Sequence, residues 1–202
     1  CFYFNIKKYI NIFIKKFNFI NYFYEITQHL NNDKSLVNKL KKTSQIFKRC
    51  NNRKNKVIFI GNGGSAATSS HVSVDLTKNA GILSTNFNEP DLITCLSNDY
   101  GYENYLANAI RLYAIKGDVV VLISCSGESP NLKNAMKYCK KKKLSTITFT
   151  GRNKKNSLIK MNKNGINFWV NSNAYNIIET VHHALLLSIV DNIIGKSIYE
   201  PK

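Results

Sequence analysis

The chain has 202 residues, with 29 Lys and Arg against 12 Asp and Glu, a formal net charge of +17, and 44% hydrophobic residues. This length suits one α/β core that buries most of its apolar surface, and two domains would be crowded. The charge alone would point to a polyanion, but the lysines are scattered and Lys, Asn and Ile are abundant together throughout, as an AT-rich genome produces, so nucleic acid is not expected as a partner.

The first twenty residues are apolar and aromatic but interrupted by Lys7, Lys8, Lys15 and Lys16. No uninterrupted stretch approaches the roughly twenty apolar residues of a membrane span. With Phe4, Ile10, Ile14 and Phe17 on other faces, the pattern predicts an amphipathic helix that packs on a partner subunit instead of lying on a membrane. Lys34 to Arg49 reads as a second helix with Leu36, Leu40 and Phe47 inward, and Arg53 to Lys56 as a solvated basic linker.

Lys56-Val57-Ile58-Phe59-Ile60 is a buried-strand run that breaks into Gly61-Asn62-Gly63-Gly64-Ser65-Ala66-Ala67. Glycine admits left-handed backbone and close ligand approach, and the N–H groups that open the next helix point at an anion in the direction its dipole favours. Gly61-x-Gly63-x-x-Ala66 satisfies a relaxed dinucleotide fingerprint, but the acidic residue it needs about twenty residues on is lacking. A Walker loop would close its glycine turn on Gly-Lys-Ser/Thr, whereas this turn closes on Gly64-Ser65.

Further along, Leu92 to Leu96 reads as a strand ending in Ser97-Asn98-Asp99. Val119-Val120-Val121-Leu122-Ile123 is another continuous β-branched run, and it enters Ser124-Cys125-Ser126-Gly127-Glu128-Ser129-Pro130-Asn131 before a helix rich in Lys, Ala and Met. Ser124, Ser126 and Ser129 converge on one helix start, where hydroxyls and free N–H groups suit a sugar phosphate. With Thr146 to Phe149 and Phe168 to Val170, the strand candidates alternate with helices. That predicts an α/β fold, a doubly wound five-stranded parallel sheet flanked by helices, with both cradles at the carboxyl ends of strands. Cys1, Cys50, Cys95, Cys125 and Cys139 form no CxxC pair, and no signal peptide precedes them, so reduced thiols in the cytoplasm are expected.

These segments resemble the sugar isomerase (SIS) domain proteins, and among them the phosphoheptose isomerases. The resemblance runs from about Asn21 to Gly195 and rests on Gly61-Asn62-Gly63-Gly64-Ser65, His71, Asp75-Leu76-Thr77, Ser97-Asn98-Asp99-Tyr100-Gly101-Tyr102, Ser124-Cys125-Ser126-Gly127-Glu128-Ser129 and Glu179 to His182. It implies residues 1–50 as N-terminal helices that build the interface of a homodimer or homotetramer, and 51–197 as the phosphosugar-binding domain, the two forming one compact unit. It further implies interconversion of sedoheptulose 7-phosphate and a manno-heptose 7-phosphate. The positive charge would help draw such an anion in.

On this resemblance Ser65, Ser124, Ser126 and Ser129, with the amides of Gly63 and Gly64, hold the terminal phosphate, while Asn62, Asn98 and Asp99 orient sugar hydroxyls beside Cys125 and Glu179. His71 and Asp75 lie four residues apart and share a helix face. Asp75 is the only carboxylate on the helix that leaves the first cradle, which makes it the first candidate base. Family members place a metal-binding His at the position of His71, a Glu at that of Asp75, a Gln at that of Glu179 and a His at that of Leu187. The chain departs at the last three. His71, Asp75 and Glu179 remain as aligned metal ligands, and zinc is expected to be weakly held or absent unless His183 completes the set. Glu179 or His183 is then the acid–base partner of Asp75, and His182 a structural residue. Two other roles fit the same departures: a phosphosugar-binding module without turnover, and an adaptor that binds a replication initiator protein.

Overall fold

The computed structural model describes residues 17–31 and 34–198. In chain order these form α1 (Phe19–Leu30), α2 (Lys34–Asn52), β1 (Val57–Gly61), α3 (Gly64–Lys78), β2 (Ser84–Asn86), α4 (Pro90–Tyr100), α5 (Tyr105–Tyr113), β3 (Val119–Ser124), α6 (Pro130–Lys141), β4 (Ser145–Gly151), α7 (Ser157–Met161), β5 (Ile166–Val170) and α8 (Tyr175–Ile194). The helix expected over the first twenty residues lies outside the described residues up to position 16. Asn18 caps α1, its Oδ1 accepting from the N–H groups of Ile20 and Asn21.

The five strands lie in the order β2-β1-β3-β4-β5, and every pairing is parallel. Side chains alternate across each strand. Val57 and Phe59 therefore join the cluster beneath α2, α3 and α8, with Phe47, Val72, Leu76, Val181 and Leu186. Ile58 and Ile60 join the opposite cluster with Leu96, Leu106, Ile110, Leu132 and Met136 from α4, α5 and α6. Burial on both faces explains why β1 and β3 read as unbroken apolar runs.

The chain leaves β1 toward one edge through β2 and returns to β3 on the other side of β1. The helix after β1 packs on one face and the helix after β3 on the other, so the loops at their carboxyl ends diverge and leave a crevice.

Two sequence expectations are corrected. Leu92 to Leu96 is not a strand but part of α4: Pro90 opens the helix, Leu92, Ile93 and Leu96 share one inward face, and Thr94 Oγ1 donates to the carbonyl of Pro90 at 2.8 Å. The strand beside β1 is Ser84–Asn86, a short polar edge held to α3 by Ser84 Oγ donating to Ser73 O at 2.6 Å. The basic run Arg53 to Lys56 is only half a solvated linker, since Asn55 is buried and Lys56 is ion-paired. The Gly-Lys-Ser tripeptide at Gly195 to Ser197 follows a helix, with Gly195 in the left-handed region, and no strand feeds it as a Walker loop requires. Among the described residues one helix, α8, is long and apolar enough to cross a membrane; here it packs along α2 and α3.

The amino ends of β1 and β3 are clamped by Asp118, whose side chain is fully buried. Its Oδ1 accepts from Asn55 Nδ2 and the Lys56 N–H, and its Oδ2 from Lys56 Nζ at 2.7 Å and the Ile115 N–H at 2.9 Å. Burial alone would raise the carboxyl pKa, but these donors, Lys56 first, outweigh it and hold it below the usual carboxylate value. A carboxylate whose folded pKa is depressed gives stability above its unfolded pKa, near 3.9, and loses it as the pH falls through the folded value. Lys56→Met is expected to cost about 3 kcal/mol at pH 7, because it leaves a buried charge without its partner. Urea unfolding should show the gap from the parent closing below about pH 4; a gap that stays constant down to pH 3 would contradict the clamp.

Candidate phosphosugar site

Both cradles open on the crevice between β1 and β3. After β1 the chain turns so tightly that a Cβ on Gly61 would come within 2.7 Å of the Ser65 backbone, and Gly63 takes φ +55. Only glycine accepts the second conformation without strain. The turn delivers Ser65, buried, and the free N–H groups that open α3 to the crevice.

After β3, Ser124 Oγ accepts from the Gly127 N–H at 3.1 Å and stands 3.4 Å from Ser129 Oγ, while Ser126 Oγ accepts from the Glu128 N–H at 3.1 Å. The turn thus fills acceptor positions of Ser124 and Ser126 and leaves the O–H proton of Ser126, and at least one of those on Ser124 and Ser129, free for an anion. Glu128 points away from the crevice, its carboxylate accepting from Ser157 Oγ at 2.6 Å and the Ser157 N–H at 2.8 Å; these bonds hold its pKa down.

A cavity of about 140 Å³ lies between the turns, walled by Asn62 and Ser65 on one side, Ser124, Cys125, Ser126 and Ser129 on the other, and Tyr175 and Glu179 of α8 across the mouth. A wider hollow of about 480 Å³ runs between α1 and the start of α8, but it touches neither the glycine turn nor the serines. The smaller cavity is where the donors converge. Glu179 brings its carboxylate against Gly64, where a Cβ would collide with Oε2, so glycine at that position makes room for the acid. Cys125 Sγ lies 3.7 Å from Glu179 Oε1 and donates toward it. Burial, and then the charge of Glu179, push the thiol up to about 12, so Cys125 is a neutral donor and not a nucleophile.

The structure adds residues that the sequence did not single out. Asn131, buried at the start of α6, exchanges two hydrogen bonds with Asn62, 2.8 and 3.0 Å, and ties one cradle to the other. Tyr175 belongs to the cavity wall. The only sequence sign of Asn131 is an amide directly after the helix-opening proline, and Tyr175 has none. Asn98 and Asp99 are not brought in: both are exposed on α4, bonded to each other, and absent from the cavity wall. Tyr102 from the following loop reaches Asn62 in their place, at 3.4 Å.

His71, Asp75 and His183 gather elsewhere on the α3–α8 seam. His71 Nε2 is 3.6 Å from Asp75 Oδ2, the two imidazole rings are 4.8 Å apart, and Thr68 Oγ1 is 3.2 Å from His183 Nδ1. Burial and the neighbouring His71 lower the pKa of His183 against the opposing pull of Asp75. Glu179 does not join them. It sits at Gly64, eleven residues before Asp75 on α3, or about 16 Å of helix rise. Leu187 packs on the core, and among the described residues no three His, Cys, Asp or Glu side chains stand close enough to hold a metal ion. Of the donors that the resemblance implies, His71, Asp75 and His183 thus stand near one another and Glu179 stands apart. His182 is fully buried against Phe149, with Nε2 3.1 Å from Thr150 O, and burial lowers its pKa to about 4.

Ser126→Ala should weaken binding of a phosphorylated ligand by about 1 to 3 kcal/mol while leaving the fold intact, because an anion loses one donor. Calorimetric titration checks this, and unchanged affinity would remove Ser126 from the site.

A family model described as SIS domain matches residues 19–151. A phosphoheptose isomerase of Sulfurimonas denitrificans is 32% identical over 157 residues, covering 72% of this chain and 75% of that protein. Phosphoheptose isomerase 2 of Campylobacter jejuni is 32% identical over 132 residues, covering 62% and 66%. Among solved structures, a phosphoheptose isomerase of Neisseria gonorrhoeae superposes with TM-score 0.78 at 25% identity, covering 86% of this chain and 96% of that one. One from Francisella tularensis gives the same TM-score at 20% identity over 95% and 97%, a likeness of fold.

Proposed function

We propose that this chain, which belongs to the SIS-domain family and within it to the phosphoheptose isomerases, interconverts sedoheptulose 7-phosphate and a manno-heptose 7-phosphate. The observation that carries the reading is one carboxylate, Glu179, in the wall of the same cavity as the serine turn. Aldose–ketose interconversion moves one proton between adjacent carbons through an enediolate. With the phosphate on Ser124, Ser126, Ser129 and the opening N–H groups of α6, Glu179 takes the proton from the carbon beside the carbonyl. The electron pair moves to the carbonyl oxygen, where the Asn62 amide and Ser65 hydroxyl stabilise the charge. The proton returns from Glu179 to the former carbonyl carbon, while the hydroxyl proton on the carbon first deprotonated passes to the former carbonyl oxygen, so that one carbonyl forms as the other becomes a hydroxyl.

In this assignment Glu179 takes the role that the sequence gave first to Asp75, because Asp75 and His183 lie outside the cavity wall. No step is given to zinc, since Glu179 in the cavity wall stands apart from His71, Asp75 and His183. Assembly as a homodimer or homotetramer through the exposed Phe19, Ile20, Phe23 and Tyr24 of α1, and residence in the cytoplasm, belong to the same reading. Leu187, where the family carries an acid–base His, favours as second reading a module that binds the phosphosugar without turnover.

Purified protein given sedoheptulose 7-phosphate in deuterated buffer distinguishes the two. Glu179→Gln should lower deuterium incorporation beside the carbonyl by about a hundredfold or more with little change in affinity, while Asp75→Asn should keep most of it. Chelator-treated protein should keep its rate. Exchange in Glu179→Gln equal to the parent would remove Glu179 as base, and no exchange in the parent would leave the binding module.

A further inference from the structure

The cavity lacks something its expected ligand demands: a phosphate carries close to two negative charges, yet among the described residues no Lys or Arg stands in the wall, and Glu179 adds a negative charge of its own. Arg152 is one contact behind that wall. It leaves the carboxyl end of β4 with φ +54, in the left-handed region where non-glycine residues pay a conformational cost. Lys54 and Lys143 share this conformation, but each merely turns the chain just past the end of a helix. Arg152 turns at the ligand end of the sheet, where two backbone bonds and one side-chain bond hold it. Its N–H donates to Ser172 O at 3.1 Å, its carbonyl accepts from Trp169 Nε1 at 3.2 Å, and its Nη1 donates to the Tyr175 hydroxyl at 3.1 Å. The guanidinium also lies over the Tyr175 ring, 5.6 Å from its centroid.

A phenol oxygen that accepts from a guanidinium has its own proton free to point elsewhere, and Tyr175 lines the cavity. Hydrogen bonds in a chain polarise one another, and a cation at the far end strengthens the donor at the near end. We infer that Arg152 is a positioning residue that, through the Tyr175 hydroxyl, makes the pocket select phosphorylated over unphosphorylated sugars. The inference rests on the phosphosugar reading of the cavity. It adds a source of positive charge that the serine and glycine turns do not supply.

The test uses three variants: Arg152→Gly, which accepts φ +54 without strain and so removes the side chain with no backbone penalty; Tyr175→Phe, which keeps the ring and removes the hydroxyl; and the two combined. Inorganic phosphate and sedoheptulose 7-phosphate are titrated calorimetrically into each protein, with melting temperature as the fold control, and kcat and KM are measured where turnover exists. Each single variant should bind both anions about tenfold more weakly, raise KM by a similar factor and leave kcat within about twofold, and the double variant should be no weaker than either single one. Phosphate affinity in Arg152→Gly equal to the parent overturns the inference and leaves the isomerase reading untouched. Additive losses in the double variant overturn the route through Tyr175. If the parent binds but does not turn over, the isomerase reading fails and the inference stands; if the parent binds neither anion, both fail.

Discussion

The side-by-side register of β1 and β3 is the constraint on which the rest depends. Five consecutive pairs, Val57 with Val119 through Gly61 with Ile123, make one parallel ladder at the centre of the sheet. At its amino end the buried Asp118 holds Lys56, Asn55 and Ile115 together. At its carboxyl end the Asn62–Asn131 exchange joins the turns that follow the two strands. A slip of one residue would turn every side chain of a strand to the other face and part both clamps. Chain reversal at this pair sends α3 and α6 to opposite faces, which leaves the crevice and aims two helix amino ends into it.

The chemistry follows from what that crevice does and does not contain. Hydroxyls and amides supply many weak donors with fixed directions, while among the described residues the one charged group in the wall is negative. On the proposed reading, a pocket of this kind holds a phosphate by geometry and keeps its carboxylate free for proton transfer. Cys125, pushed up to about 12 by burial and Glu179, donates toward that carboxylate without competing as a nucleophile. The overall charge of +17 favours approach of a small anion but says nothing of the fold.

Four of the five strands were legible: burial on both faces writes β1 and β3 as apolar runs, β4 and β5 show β-branched and aromatic residues, and all four lie on or within two residues of their expected positions. The strand β2 was not, since an edge of Ser84, Thr85 and Asn86 carries no hydrophobic signal, and it is held by side-chain bonds to α3. Leu92 to Leu96 misled because five residues are too few to separate a period of 3.6 from a short buried run. In the site, the glycines and serines announced themselves through local conformation. Asn131, Tyr175 and Arg152 did not, because only the approach of β4, α6 and α8 to the crevice gives them a role. Asn98 and Asp99 showed the converse: a motif suggested them, and the direction of α4 carries them away.

A crystal structure of the protein with sedoheptulose 7-phosphate tests the central claim most directly. The account predicts the phosphate on Ser124, Ser126 and Ser129, Glu179 within hydrogen-bonding reach of the first two carbons and their oxygens, and Asp75 out of contact with the sugar. A sugar whose reacting carbons lie against His71, Asp75 and His183, with Glu179 untouched, would contradict it.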